Sequence, residues 1–255
     1  MKKIFVILLC SFSLLTSNLI AQESSTANAP TTTDETVATS TAPKGIFGST
    51  FSKPTSFKEF LTQVSPFITI GPILTVNTES GTKSAVSPIA FSTGIGAVWP
   101  NNAFISFQPR LSFFTMYYLW DGKNALPAEV ENRTALSLSF LIDLPAVASF
   151  RFGKNTFEAG VGLAVLARIG ILPTGVKATD SGATGSASGD VDKINEWFWS
   201  SGRFLYPELI FNYDYCITER LRGGFEARFY IPLGSFISGR GMDATMMTIA
   251  ARLVF

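Results

Sequence analysis

The sequence predicts an all-β fold, an up-and-down antiparallel transmembrane β-barrel closed by eight strands. Three observations lead there. Only 15% of the 255 residues are charged while 46% are hydrophobic, against about 25% charged in an average soluble domain. Beyond the first segment, no apolar run reaches the roughly 20 residues that a spanning helix needs. From Phe67 onward, apolar residues recur at every second position, the period of a strand with two unlike faces. A chain short of charge and without a spanning helix satisfies all three by turning one face of each strand to hydrocarbon.

The amino end reads as an export signal. Met1-Lys2-Lys3 is followed by an apolar run from Ile4 to Leu15 and by Leu19-Ile20-Ala21. These are the charged, apolar and cleavage regions of a secretory signal peptide, expected to span residues 1–21. Residues 22–65 form the expected periplasmic linker. Its first part is rich in Ser, Thr, Ala and Pro, as in Thr31-Thr32-Thr33, and has too little to bury to fold alone. Further on, Ser56 is placed to cap a short helix through Phe57, Phe60, Leu61 and Val64, ended by Pro66.

The barrel domain is expected over 66–255, with strands at about 66–76, 85–98, 103–119, 133–152, 156–172, 198–215, 221–234 and 243–255. In the fifth, Phe157, Val161, Leu163, Val165, Ile169 and Ile171 oppose Glu158, Gly160, Gly162, Ala164 and Arg168. In the sixth, Leu209, Phe211 and Tyr213 alternate, but Arg203 falls on their face, which predicts a bulge near Pro207. The second, fourth and sixth connections are short and lie on the same side as both chain ends. The others are longer, and residues 173–197 read as a Gly/Ser/Thr-rich loop. The third and fourth strands exceed the roughly 9–11 residues needed to cross, so their hairpin is expected to project.

A soluble lipocalin-type barrel would show the same period, so the side chains must decide. All ten lysines lie outside the expected strands. The strand-borne charges are mainly Arg110, Asp143, Arg151, Glu158, Arg168, Glu208, Glu226, Arg228 and Arg252. An arginine facing lipid at mid-bilayer would cost about 2–4 kcal/mol. These nine are therefore expected inside, as a structural network of ion pairs in a narrow lumen. Trp99, Phe152, Tyr213 and Tyr215 cluster at one set of strand ends, and Tyr117, Tyr118, Trp120, Trp197 and Trp199 at the other. Such clusters suggest interfacial girdles.

Several function classes lose support. Histidine is absent, which removes His-based acid–base catalysis and His-ligated metal sites, so no enzyme, metal or cofactor is expected. A formal net charge of +1 gives a nucleic-acid partner no electrostatic footing. Gly94-Ile95-Gly96 and Gly160-Val161-Gly162 open no helix after a strand, and read as small residues facing a crowded lumen. Asp180, Asp190 and Asp192 lack calcium-loop spacing. Without the signal segment Cys216 is the sole cysteine, so no internal disulfide is expected.

The chain closes on Met247, Ile249, Ala251, Leu253 and Phe255. This resembles the final strand of bacterial outer-membrane β-barrel proteins. The size and layout resemble the small eight-stranded group of OmpA, OmpX and OmpW types. Leu141-Ile142-Asp143-Leu144-Pro145-Ala146-Val147, followed by Phe157-Glu158-Ala159-Gly160, is similar to the porin-related outer-membrane β-barrel domain. The resemblance covers residues 66–255 and carries over no ligand or catalytic residue. It implies residence in the outer membrane, lipid as a partner, and recognition of those five closing residues by the barrel-insertion machinery. The expected role is surface display, with loops at 120–132 and 173–197 meeting an extracellular ligand or host surface. The alternative is an OmpW-like conduit for small or apolar solutes, lined by Leu141, Val147, Leu166 and Leu172. An outer-membrane enzyme is the least supported reading.

Overall fold

The computed structural model describes residues 63–78, 88–100 and 104–255. The signal segment, residues 22–62 of the linker with most of the expected Ser56-capped helix, and residues 101–103 of the second connection lie outside the described residues. Strands β1 (Ser65–Val76), β2 (Ile89–Pro100), β3 (Ile105–Phe107), β4 (Arg110–Trp120) and β5 (Ala125–Ala128) come first. They are followed by β6 (Ala135–Phe152), β7 (Asn155–Ile171), helix α1 (Ala187–Trp199), β8 (Leu205–Cys216), β9 (Arg222–Tyr230), helix α2 (Leu233–Ile237) and β10 (Thr245–Val254).

Every strand pair is antiparallel, and β1 pairs with both β2 and β10, so the sheet closes. β3 and β4 are one wall strand. Both keep a single register against β6 and another against β2; the strand is interrupted only at Gln108 and Pro109, where the proline has no N–H to give. β5 pairs with β4 alone, as a hairpin arm above the ring. Among the described residues, eight wall strands remain, as the sequence predicts.

The registers also set the width. From Ile70 they lead to Thr93, Phe113, Phe140 and Ala167. Carried on through β8, β9 and β10, they re-enter β1 about ten residues along. Eight strands with that stagger leave an interior that side chains fill.

Alternation sorts the side chains as expected. Phe157, Val161, Leu163, Ile169 and Ile171 face outward, as do Leu111, Phe113, Phe211 and Phe225. Gly153, with φ 61°, is the first of two central residues in the β6–β7 turn, the position that a two-residue hairpin gives to glycine. No helix among the described residues is long and apolar enough to cross a membrane; a barrel crosses with strands.

Three expectations need correction. The sixth wall strand does not start at 198, because α1 occupies Ala187–Trp199 and the strand begins at Leu205. Arg203 therefore sits in the preceding turn and never competes for a strand face. The bulge near Pro207 is absent, since β8 holds one unbroken register with β7 through that residue and with β9 from Glu208 onward. The seventh strand ends at Tyr230, and Pro232 starts the short α2 instead.

The lumen-facing glycines have a measurable reason. A Cβ at Gly162 would lie 2.6 Å from Glu208 Oε1 and 2.6 Å from the Cα of Pro145. Gly162→Val is expected to destabilise the reconstituted barrel by about 1–3 kcal/mol through overpacking, read from the midpoint of urea unfolding. An unchanged midpoint would show that the wall has slack at this point.

Candidate functional site

The lumen has two storeys. The lower one, toward the short turns, is ionic. Arg110 on β4 sends Nε to Asp143 Oδ2 at 2.7 Å on neighbouring β6. Its Nη1 pairs with Glu226 on β9, directly across the ring. Its Nη2 donates to the Tyr230 hydroxyl at 2.6 Å. Arg228 donates to Glu208 and to Glu226, both at 2.9 Å, and lies 3.6 Å from Asp143.

A second cluster continues below. Arg252 approaches Glu158 at 3.5 Å, Glu226 at 3.7 Å and Asp214 at 3.8 Å, and Arg222 lies 3.7 Å from Asp214. Glu158 also accepts from Gln108 at 3.0 Å, Asn212 at 2.9 Å and Ser149 at 3.1 Å. Gly94 makes room for this packing, since a Cβ there would meet Thr69 Oγ1 at 2.6 Å and Ser112 Oγ at 2.7 Å. Buried charges are tolerated best when they meet opposite charges, and the alternation of signs here provides that, although both carboxylate oxygens of Asp214 make no hydrogen bond.

Eight of the nine charges predicted inward are buried. Arg151 is the exception. It has the inward phase on β6, but lies so close to the turn that its side chain leaves the lumen. There it donates to the Gly153 carbonyl at 3.3 Å and lies 3.6 Å from Cys216 Sγ. The sequence reading missed Gln108, Asn212, Asp214 and Arg222, although each is in phase with a charge that it included.

The upper storey is apolar. Ile73, Phe114, Met116, Leu141, Leu166 and Tyr206 converge there with Val191, Ile194 and Phe198 of α1. The helix starts on Ser186, whose hydroxyl accepts from the Gly189 N–H at 3.1 Å, the usual cap for an unpaired amide. Asp190 holds the approach by accepting from Ala183 N at 2.9 Å and Thr184 N at 2.8 Å. Asn195 docks the helix on the end of β7, donating to Gly170 O at 3.0 Å and accepting from Gly170 N at 2.7 Å. The sequence predicted a loop here; instead, residues spaced three and four apart carry an apolar stripe into the mouth.

Arg168 faces inward as predicted but stands apart from the ionic storey. It donates to the Tyr118 hydroxyl at 3.1 Å and to the Arg203 carbonyl at 3.0 Å, and its guanidinium lies 4.3 Å from the Phe198 ring. The upper aromatic girdle is correspondingly thinner than predicted. Tyr118 and Trp120 are buried inside, and Trp197, itself part of the helical plug, packs against the apolar cluster. At the lower ends, Phe152 and Tyr215 do face outward.

Met247, Ile249, Ala251 and Phe255 share the outer face, against inward Thr248, Ala250, Arg252 and Val254. Among the described residues, no group of His, Cys, Asp or Glu has the arrangement to hold a metal ion.

No family model and no curated protein matches this chain. Solved structures do. Neisserial surface protein A is similar with a TM-score of 0.48 and 10% identity, over 75% of this chain and 96% of that one. The outer membrane protein OprG of Pseudomonas aeruginosa gives 0.45 and 8%, over 75% and 95%. Ail, the attachment invasion locus protein of Yersinia pestis, gives 0.36 and 6%, over 75% and 95%. The fold of the present chain rests on its own strand registers.

Because Glu226 touches three arginines, it should be the most sensitive member of the lumen. Glu226→Gln is expected to cost about 3–5 kcal/mol, whereas exposed Arg151→Gln should stay within about 0.5 kcal/mol. Urea unfolding in vesicles gives both numbers, and equal effects would refute the assigned network.

Proposed function

We propose that this protein is an integral barrel of a bacterial outer membrane, non-enzymatic and closed along its lumen, which presents structured loops to the cell exterior. The observation that carries the reading is the division of its surfaces. Large apolar side chains cover the outside of the wall, with Val161 61% and Ile249 61% exposed. The strand charges are folded into mutual pairs within. In water that outer face would be an aggregation surface far above the few hundred Å² a soluble monomer leaves bare; in lipid it is the binding surface.

The closed lumen supports display over conduction. Leu141 and Leu166, two of the residues that would line a conduit, are packed in one cluster with Ile194 and Phe198. Below them the ionic network spans wall to wall. The loop bearing α1 and the β4–β5 arm stand on the side away from the short turns, where extracellular loops belong in this architecture. The outward row ending in Phe255 supports its reading as the insertion signal. With lumen carboxylates engaged by arginines, none is assigned an acid–base role.

Two measurements test this. Val161→Arg is expected to cost about 2–4 kcal/mol of stability in vesicles; detergent-free solubility of the unsubstituted barrel would favour the soluble alternative. In planar bilayers, the purified protein is expected to give no discrete conductance steps. Reproducible unitary currents would refute the closed lumen and restore the conduit.

A further inference from the structure

At the outer mouth, beside the helical plug, a cleft of about 230 Å³ including its open part is lined by Arg168, Arg203, Trp197, Tyr206 and Ser235. Its chemistry differs from that of the lumen. Among the described residues, no acidic side chain lines it. The nearby Asp243 is engaged by its own partners, accepting from Thr78 N at 2.9 Å and lying 3.7 Å from Arg240.

The decisive residue is Arg168. It is only 4% exposed, and a buried guanidinium ordinarily sits against a carboxylate. Here its polar partners are the Tyr118 hydroxyl and the Arg203 carbonyl, both neutral. Of the five N–H donors on a guanidinium, two are used, and Nε has no acceptor. The Phe198 face at 4.3 Å offsets part of the charge but takes none of the remaining hydrogens. The second cation, Arg203, is held in place by stacking 4.2 Å from the centre of the Trp197 ring and by donating to Ser200 Oγ at 2.6 Å.

We infer that this cleft is a binding site for a phosphate-type oxyanion, with Arg168 as its buried base and Arg203 as its rim. Two guanidinium groups, an indole that fixes one of them, and the Ser235 hydroxyl match the charge and the several acceptor directions of a phosphate. The enclosed part of the cleft is about the size of one water. One phosphate oxygen fits that space, and the rest of the head lies in the open part of the cleft with the bearer outside. The bearer is either a soluble phosphate or a phosphorylated lipid headgroup of the outer leaflet.

The full barrel, reconstituted in phosphatidylcholine nanodiscs, is titrated calorimetrically with inorganic phosphate at constant ionic strength. Saturable binding is expected for the unsubstituted protein and for Arg220→Gln, which lies in a turn at the opposite end. Arg203→Gln should weaken it on the order of tenfold or more. Arg168→Met should abolish it while keeping the fold, because methionine fills similar space without a buried charge. Should that variant fail to fold, Arg203→Gln decides alone.

A second arm compares thermal unfolding in nanodiscs containing lipid A with and without its phosphates. A midpoint raised only by the phosphorylated lipid, and only when Arg168 and Arg203 are intact, assigns the anion to the membrane. Absence of any response in both arms overturns the site, as does equal binding by Arg203→Gln and the unsubstituted protein. Neither of those results would touch the closed-lumen reading, which the conductance measurement tests separately.

Discussion

A guanidinium facing hydrocarbon costs about 2–4 kcal/mol, and that constraint sets the phase of the wall strands that carry inward arginines, β4, β7, β9 and β10. Side chains on a strand alternate with a period of two, so a slip of one residue would turn Arg110, Arg228 and Arg252 outward and bring Phe113, Phe229 and Leu253 inward. The interior then adds a second constraint. Arg110 on β4 reaches Glu226 on β9, four wall strands away around the ring and hence directly opposite. A contact of this kind ties distant parts of the chain, and no adjacent pairing can supply it. Sheet hydrogen bonds hold neighbours together; the Arg110–Glu226–Arg228 strut holds opposite walls at one separation.

Much of this was legible because alternation reports the face of a residue directly. The eight wall strands, the outward Val161 and Phe225 and the inward Asp143 and Glu226 follow from parity. What parity does not report is depth. Arg151 has the right phase, but lies at the turn end of β6, where it is exposed and reaches the Gly153 carbonyl. Tyr118 and Trp120 show the opposite error. Their position near strand ends suggested an interfacial belt, although they share the inward parity of Arg110 and are buried.

Helix α1 was the largest gap, and its composition explains why. Gly182, Gly185 and Gly189 and the serines around them dominate the segment, and glycine and serine both favour turns. Yet Val191, Ile194 and Phe198 carry a helical spacing, Ser186 stands at the capping position, and Asn195 is placed to bind the free end of β7. A helix of 13 residues is marginal alone in water. Here the barrel mouth supplies the apolar surface that makes it stable. The false bulge at Pro207 came from the same source: once Ala187–Trp199 is helix, Arg203 belongs to a turn and the strand it seemed to disrupt is regular.

The two storeys solve the problem of a narrow interior in different ways. Below, arginine and carboxylate groups fill space and cancel charge within one network, so that layer asks nothing of the surroundings. Above, filling by Ile194 and Phe198 removes water but provides no counter-charge, and Arg168 lies at that boundary. Its cost could have been avoided by methionine or leucine, which would extend the apolar cluster without a desolvated cation. Retaining a guanidinium there, with Arg203 stacked beside it and no acid among the described residues that line the cleft, makes little sense as packing. It is what an anion arriving from outside requires: a fixed positive centre in a low-dielectric seat, where the attraction is far stronger than at a hydrated surface.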